Sequence, residues 1–217
     1  MILVIKLLKV KFGSNMSTNI LEQLGQLAEH YKDLYPIPCG TLLQNTISLI
    51  VSQQVKFSQG RVIRKRLYEL IDAKTSKTSS GSTDTDTILR SLTHKDWKDL
   101  GLTPNKISTI LEITSMSNLS VDNLDHIKGI GPWTIKALKV LTNSDPNVFL
   151  SEDLWIRKRF SELVGTRTLS SKELDEMMGN SDTNSNLTQV SRFLWRLKPE
   201  NVQKLVQSQE LSREDFV

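Results

Sequence analysis

The chain is patterned for helices along most of its length. Between residues 19 and 35, apolar side chains recur at intervals of three and four, the spacing that places them on one face of an α-helix. The same spacing returns in residues 42–71, 88–100 and 187–197. No segment shows the apolar–polar alternation of a half-buried β-strand. The pattern therefore predicts an all-α fold.

Two short interruptions divide this helical pattern. Residues 42–71 break near Gln53-Gln54-Val55-Lys56, so two helices are expected there. Later, one apolar run ends at Ile127 and the next begins at Ile135. Only a few residues separate these two runs, including Lys-Gly-Ile-Gly-Pro-Trp at 128–133. A tight hairpin between two helices is therefore predicted.

The predicted hairpin has the composition of an anion-binding turn. Gly129 and Gly131 are expected to take positive φ and to leave their amide groups uncovered. Pro132 suits the first turn of the second helix, where no backbone donor is needed. Bare N–H groups at a helix N-terminus attract anions, and for a basic chain the expected anion is a nucleic-acid phosphate.

The segments on either side of the hairpin contain further boundary signals. Residues 74–87 are rich in Ser, Thr, Asp and Lys and are predicted to form a solvated loop. Gly101 is expected to cap the helix of residues 88–100. Asp153 follows the short apolar segment Val148-Phe-Leu150 and is expected at the N-cap or first turn of the next helix. The tail, residues 200–217, is amphipathic.

Composition is compatible with a nucleic-acid partner without requiring one. The 217 residues suit one compact domain or two closely joined lobes. Lys and Arg outnumber Asp and Glu by 28 to 24, and the isoelectric point is near 9.1. The single cysteine, Cys39, excludes both an internal disulfide and a four-cysteine iron–sulfur cluster. The three histidines have no zinc-site spacing, and the apolar residues 1–10 are too few to span a bilayer.

Two linked motifs carry a resemblance to a known family. Leu124-Asp-His-Ile-Lys-Gly-Ile-Gly-Pro-Trp-Thr134 is followed by Val148-Phe-Leu-Ser-Glu-Asp153, with Trp133 and Asp153 twenty positions apart. This arrangement resembles the helix-hairpin-helix DNA glycosylases of base-excision repair, and within them the 3-methyladenine, or alkylpurine, branch. The similarity extends over roughly residues 40–197.

The resemblance implies a two-lobed helical fold. It places one lobe at about residues 42–141, including the hairpin at 124–138, and the other at about residues 19–41 plus 142–217. Residues 1–18 are then an N-terminal extension without an assigned role. Ser151 stands where the family often has a proline, which bears on the angle at which the chain reaches Asp153.

The resemblance also implies a reaction. Breaking an N-glycosidic bond leaves cationic character on the sugar, and a buried carboxylate stabilises that state and orients water. The family places its catalytic aspartate at the second acidic position, which is Asp153 and not Glu152. Members that also cut the strand have a Schiff-base lysine two residues after the second hairpin glycine, where this chain has Trp133. A monofunctional glycosylase without a lyase step is therefore expected.

The remaining site residues are assigned by the same likeness. Aromatic rings that favour cationic alkylated purines through cation–π stacking are expected in the base pocket, namely Trp133, Trp195 and Tyr35. Gln54 is expected to fill the gap left by an extruded base, with Val55 as a neighbouring wedge. DNA is expected to be held by the hairpin residues Lys128, Gly129, Gly131, Thr134 and Lys136.

Cofactor and partner expectations follow from the resemblance as well. No metal site is expected, except that Na⁺ or K⁺ could bind the backbone carbonyls of Asp125, Ile127 and Ile130. The expected partner is double-stranded DNA with a damaged base, bound by a monomer that has no membrane association. Its location would be nuclear in a eukaryote and cytoplasmic in a prokaryote.

Two other functions remain open from the sequence. A mismatch uracil or thymine glycosylase of the same fold also uses an aspartate without a lysine. A non-catalytic helix-hairpin-helix module would bind DNA through the hairpin alone and would show steep salt dependence without base loss.

Overall fold

The structure is a computed structural model, and it describes residues 16–34, 40–76, 84–179, 186–207 and 209–216. These residues form α-helices and short 3₁₀ turns with no β-strand among them, so the all-α prediction is confirmed. Most of the predicted N-terminal extension, residues 1–15, lies outside the described part of the chain. No described helix combines the length and apolar character needed to cross a membrane.

The described part of the chain contains a series of α-helices. In chain order they are α1 (Met16–His30), α2 (Leu42–Ser52), α3 (Phe57–Thr75), α4 (Thr85–Ser91), α5 (His94–Asp99), α6 (Pro104–Ser115), α7 (Pro132–Thr142), α8 (Leu154–Leu163), α9 (Ser171–Gly179), α10 (Leu187–Arg196) and α11 (Val202–Val206). The chain divides into two compact units, Cys39–Leu138 and the combination of Met1–Pro38 with Lys139–Val217.

The central unit, Cys39–Leu138, is built around α2. This helix packs against α3 and α6 and buries the apolar face that its spacing predicts. Trp97 on α5 is fully buried in the same unit. The predicted break after residue 52 is confirmed, since α2 ends at Ser52 and α3 begins at Phe57.

Residues 88–100 form two helices, and the prediction of one continuous helix was wrong. The helix α4 stops at Ser91, and α5 begins at His94. Between them, the Thr93 hydroxyl accepts a hydrogen bond from the Asp96 amide at 3.2 Å, while the Asp96 carboxylate accepts one from the Thr93 amide at 2.7 Å. This reciprocal capping starts a new helix within an unbroken apolar pattern.

The hairpin is preceded by successive tight turns, so the α-helix predicted to end at Ile127 does not form. A 3₁₀ helix over Val121–Asn123 leads into i→i+3 bonds from the Ile127 amide to the Leu124 carbonyl at 3.2 Å and from the Ile130 amide to the Ile127 carbonyl at 3.0 Å. The buried residues Leu124, Ile127 and Ile130 are spaced by three. This spacing matches a 3₁₀ turn, in which residues three apart lie on one side.

The terminal unit, Met1–Pro38 with Lys139–Val217, is centred on α10. This helix packs against α1 and α8, and its Phe193 is fully buried. The C-terminal segment adds to the same core, since the Phe216 and Phe193 rings lie 6.0 Å apart and the Lys198 amide donates to the Asp215 carbonyl at 2.9 Å. The amphipathic tail is therefore part of the folded core of this unit.

Asp215 fixes the end of that tail. It is 3% exposed, and its carboxylate accepts hydrogen bonds from the Ser212 amide at 2.7 Å, the Ser212 hydroxyl at 3.1 Å and the Lys204 ammonium. Burial by itself would raise the pKa of Asp215, but these donors outweigh it and bring the pKa below the ordinary 3.8.

Asp215→Asn should therefore lower the free energy of unfolding at neutral pH, by about 1–3 kcal/mol, because a partly buried ammonium loses its charged partner. In the wild type this contribution is complete above pH 3.8 and disappears as the pH falls through the lowered pKa of the folded state. The melting temperatures of the two proteins should thus converge in strong acid. The exposed neighbour Glu214, changed to Gln, is the control. A difference that stays constant with pH would contradict this account.

Candidate functional site

Asp153 is the N-cap of α8, as predicted. Its carboxylate oxygen Oδ1 accepts hydrogen bonds from the amides of Trp155 at 2.9 Å and Ile156 at 3.1 Å. The residue is 8% exposed, and its own amide donates to the Leu150 carbonyl at 3.2 Å. Two backbone donors and the positive end of the helix dipole therefore fix this carboxylate in one orientation.

The apolar segment of residues 148–150, which leads to Asp153, is held by two side-chain hydroxyls of α10. The Leu150 amide donates to the Ser191 hydroxyl at 3.0 Å, and the Thr188 hydroxyl donates to the Asp145 carbonyl and lies 3.3 Å from the Val148 carbonyl. Both of these hydroxyl residues are completely buried. A segment without regular secondary structure in a helical core has no partners of its own for its backbone groups, so α10 supplies them.

Ser151 stands where the resembled family often has a proline, and its side chain has a specific partner. Its buried hydroxyl donates to the Asp175 carboxylate of α9 at 2.6 Å. A buried hydroxyl without an acceptor would cost free energy, so Asp175 makes serine tolerable here. The departure from the family pattern is thus accommodated by a second helix.

Arg159 places a buried positive charge in the same unit, at a position that the sequence pattern did not single out. It is 6% exposed, and its guanidinium donates to the Trp195 carbonyl at 3.3 Å. Burial lowers the pKa of Arg159 to about 10, and the negative charge of Asp153 acts in the opposite direction. Arg159 therefore stays charged at neutral pH. Its position three residues after Ile156, on the apolar face of α8, was the available signal.

The structure places Trp155 at the surface. It is 50% exposed, beside the 45% exposed Leu154 in the first turn of α8. The Lys158 ammonium lies 5.1 Å from the centre of its ring. An exposed tryptophan two residues after a capping aspartate is unusual, because large apolar side chains in a helix are normally buried.

The predicted aromatic pocket residues are only partly described. Trp133 in α7 and Trp195 in α10 are each half-buried. Tyr35, the third predicted ring, lies outside the described residues.

The two hairpin glycines differ from each other. Gly129 takes the predicted positive φ of +97°, and a Cβ there would lie 2.6 Å from the Thr109 hydroxyl. Gly131 does not take a positive φ, so that prediction was wrong. Nothing described lies within 4 Å of where its Cβ would be. Fold geometry therefore requires glycine at Gly129 and leaves open space beside Gly131.

The remaining hairpin residues separate into exposed and buried groups. Lys128 is exposed, and Lys136 is partly exposed on α7, which begins at Pro132 as predicted. Thr134 is only 2% exposed, and its hydroxyl accepts a hydrogen bond from the Gln53 side chain at 3.0 Å. Its side chain thus braces the hairpin, and the contact of this residue with DNA stays a prediction.

The turn between α2 and α3 displays Gln54. This residue is exposed and has a φ of +52°, which side-chain-bearing residues rarely adopt, while the neighbouring Val55 is partly buried. The candidate plug and wedge residues therefore stand on a sharply bent turn.

One of the carbonyls predicted to bind a monovalent cation is that of Ile127. It accepts the Ile130 amide at 3.0 Å and keeps a second lone pair for another partner.

Comparison with known proteins identifies the fold. No protein-family model matches the chain, and no curated protein matches it in sequence. Solved structures do match: a 3-methyladenine DNA glycosylase from Archaeoglobus fulgidus is 16% identical with a TM-score of 0.62, over 86% of this chain and 70% of that one. The chain has the fold of these DNA glycosylases.

Two further solved structures share this fold. One is a 3-methyladenine DNA glycosylase from Schizosaccharomyces pombe in complex with abasic DNA, 21% identical with a TM-score of 0.54, over 82% of this chain and 95% of that one. The other is a DNA-3-methyladenine glycosidase from Bacillus halodurans, 17% identical with a TM-score of 0.57, over 92% and 94%.

The two glycines of this glycosylase-fold hairpin should respond differently to alanine. Gly129→Ala should lower the free energy of unfolding by about 1–3 kcal/mol, because alanine must adopt a strained φ and contact Thr109. Gly131→Ala should stay within about 0.5 kcal/mol of the wild type. Denaturant unfolding of the two variants measures both values. Equal stabilities would show that the left-handed turn does not constrain the fold.

Proposed function

We propose that the protein is a monofunctional DNA glycosylase that removes alkylated purines, of the 3-methyladenine and 7-methylguanine type, from double-stranded DNA in base-excision repair. Three solved 3-methyladenine glycosylases share its fold, and one of them is bound to abasic DNA. The observation that carries the proposal is the nearly buried carboxylate of Asp153, oriented by two backbone amides.

Asp153 would act on the sugar of an extruded nucleotide. As the bond to the base breaks, the base leaves with its electron pair and the sugar gains oxocarbenium character. A fixed carboxylate in a poorly solvated position stabilises that charge more strongly than one in water. It also orients the water whose oxygen bonds to C1′ and accepts the proton that this water releases. An N3- or N7-alkylated purine leaves readily, because its glycosidic bond is already weak.

Trp133 supports the monofunctional assignment. It occupies the position at which strand-cutting members of the resembled family have a lysine, and tryptophan cannot form a Schiff base. The nearby lysines, Lys128 and Lys136, are displaced from that position in sequence.

Recognition of the base is assigned to aromatic rings. Trp133 and Trp195 are each partly exposed, and a cationic alkylated purine would stack on such rings through cation–π attraction, worth on the order of 1 to 2 kcal/mol. Neutral bases gain less from this attraction. Tyr35 remains assigned to the pocket by resemblance.

The hairpin would hold the DNA backbone. Gly131 borders open space and needs no special φ, so its lack of a side chain is best explained by close approach of a ligand. The exposed Lys128 and the partly exposed Lys136 add positive charge for phosphates. Carbonyls of Asp125, Ile127 and Ile130 could coordinate a monovalent cation beside that phosphate.

Asp153→Asn tests the catalytic assignment. Asparagine keeps the oxygen that caps α8 but loses the negative charge, so folding and DNA binding should persist while base release falls at least about 100-fold. Single-turnover release from a 7-methylguanine duplex measures the rate, and binding to abasic DNA serves as the second readout. Glu152→Gln neutralises the adjacent carboxylate and should leave the rate close to that of the wild type. A variant Asp153→Asn that releases the base at the wild-type rate would contradict the proposed mechanism.

A lesion panel separates the proposal from the other two functions. Duplexes with 3-methyladenine, 7-methylguanine, hypoxanthine, or uracil opposite guanine should give base release from the two alkylated purines, at least about tenfold faster than from uracil, because only cationic bases gain full cation–π stacking. Preference for uracil would favour the mismatch glycosylase. Salt-sensitive binding with no base loss on any substrate would favour the non-catalytic module.

A further inference from the structure

Gln53 joins the turn after α2 to the hairpin. Its side-chain nitrogen donates to the Gly129 carbonyl at 3.1 Å and to the Thr134 hydroxyl at 3.0 Å. A primary amide has two N–H donors, so both are used in these bonds. A glutamate at this position would have nearly the same shape but no N–H donor. A Gln53→Glu substitution would therefore remove both hydrogen bonds with little change in side-chain size.

Lys106 of α6 holds the backbone of the same turn. Its ammonium donates to the Val51 carbonyl at 3.0 Å and to the Gln53 carbonyl at 2.6 Å, two groups left without helical partners at the end of α2. The cation also complements the negative end of the helix dipole. Both the side chain and the carbonyl of Gln53 are therefore fixed.

The residue that follows these contacts is the exposed Gln54, with its φ of +52°. A left-handed conformation at a residue other than glycine costs free energy and persists when its surroundings impose it. The bonds of Gln53 and Lys106 supply that constraint directly before Gln54. On the hairpin side, the Thr109 hydroxyl lies 2.8 Å from the Lys128 carbonyl, so the segment that Gln53 contacts is itself anchored.

We propose that Gln53 is a positioning residue that links the phosphate-binding hairpin to the plug, and so sets the depth at which Gln54 enters the duplex. This role rests on the proposed glycosylase function. A hairpin seated on a phosphate would carry the turn with it, because Gln53 bonds to the hairpin on both sides of Gly131. Gln53 would thus govern extrusion of the base, and chemistry at the sugar would be independent of it.

Gln53→Glu tests this role on two DNA substrates. One duplex carries a paired 7-methylguanine, and the other carries the same lesion opposite an abasic spacer, where extrusion costs less. Single-turnover base release should fall about tenfold or more on the paired duplex and stay within about twofold on the spacer duplex. Equal losses on both would overturn the role, because a general structural defect slows release regardless of pairing.

Gln59→Glu is the matched control. It makes the same charge change on an exposed glutamine of α3, and glutamate keeps the oxygen that accepts the Lys56 amide. Its rates on both duplexes should equal those of the wild type. If Gln53→Glu melts below the assay temperature, Gln53→Met, of similar length and uncharged, should show the same selective loss on the paired duplex.

A double-mutant cycle with Gln54→Ala identifies the residue through which Gln53 acts. In that background, Gln53→Glu should slow release from the paired duplex by less than about twofold, because the plug is already missing. Fully additive losses would overturn the link between the two residues. A wild type that releases no base from either duplex would instead overturn the proposed glycosylase, and this role with it.

Discussion

The attraction between a helix N-terminus and a carboxylate is the interaction on which the candidate chemistry depends. In α8, two amides bind the Asp153 carboxylate, and the chain that reaches it is held by the buried hydroxyls of Thr188 and Ser191. The oxygens of Ser191 and Asp153 each accept hydrogen bonds from backbone amides. These bonds favour the folded state, because the amides would otherwise be buried without a partner. The hydroxyls hold a segment without regular secondary structure inside a helical core, and the two amides orient the carboxylate at its end.

In each unit, a basic side chain donates hydrogen bonds to carbonyls at a helix C-terminus. Lys106 donates to carbonyls at the end of α2, and Arg192 donates to the Val140 carbonyl at 2.6 Å and to the Leu141 carbonyl at 3.1 Å near the end of α7. Each cation satisfies unpaired carbonyls and complements the helix dipole. Basic residues in this chain therefore serve two purposes, internal capping and, at exposed positions such as Lys128, a surface charge suited to a polyanion.

Much of the fold could be predicted because helix signals are local. The period of apolar residues located the helices, and Gly101, with a φ of +88°, ends α5 as expected. The errors arose where two local signals competed. The apolar period continued across Thr93 although its capping pair with Asp96 starts a new helix. A spacing of three before the hairpin fits an α-helix and 3₁₀ turns equally well, and the chain forms 3₁₀ turns there.

The sequence by itself determined the all-α class, the hairpin, and the place of Asp153 as an N-cap, because helix periodicity and capping act over a few residues. Only the tertiary structure decided that Thr134 is buried, that Gln53 binds the hairpin, that Asp175 accepts the Ser151 hydroxyl, and that Arg159 is buried near α10. Those outcomes depend on groups that lie between 24 and 81 positions apart in the chain. The sequence around a residue does not reveal which distant group will be its hydrogen-bond partner.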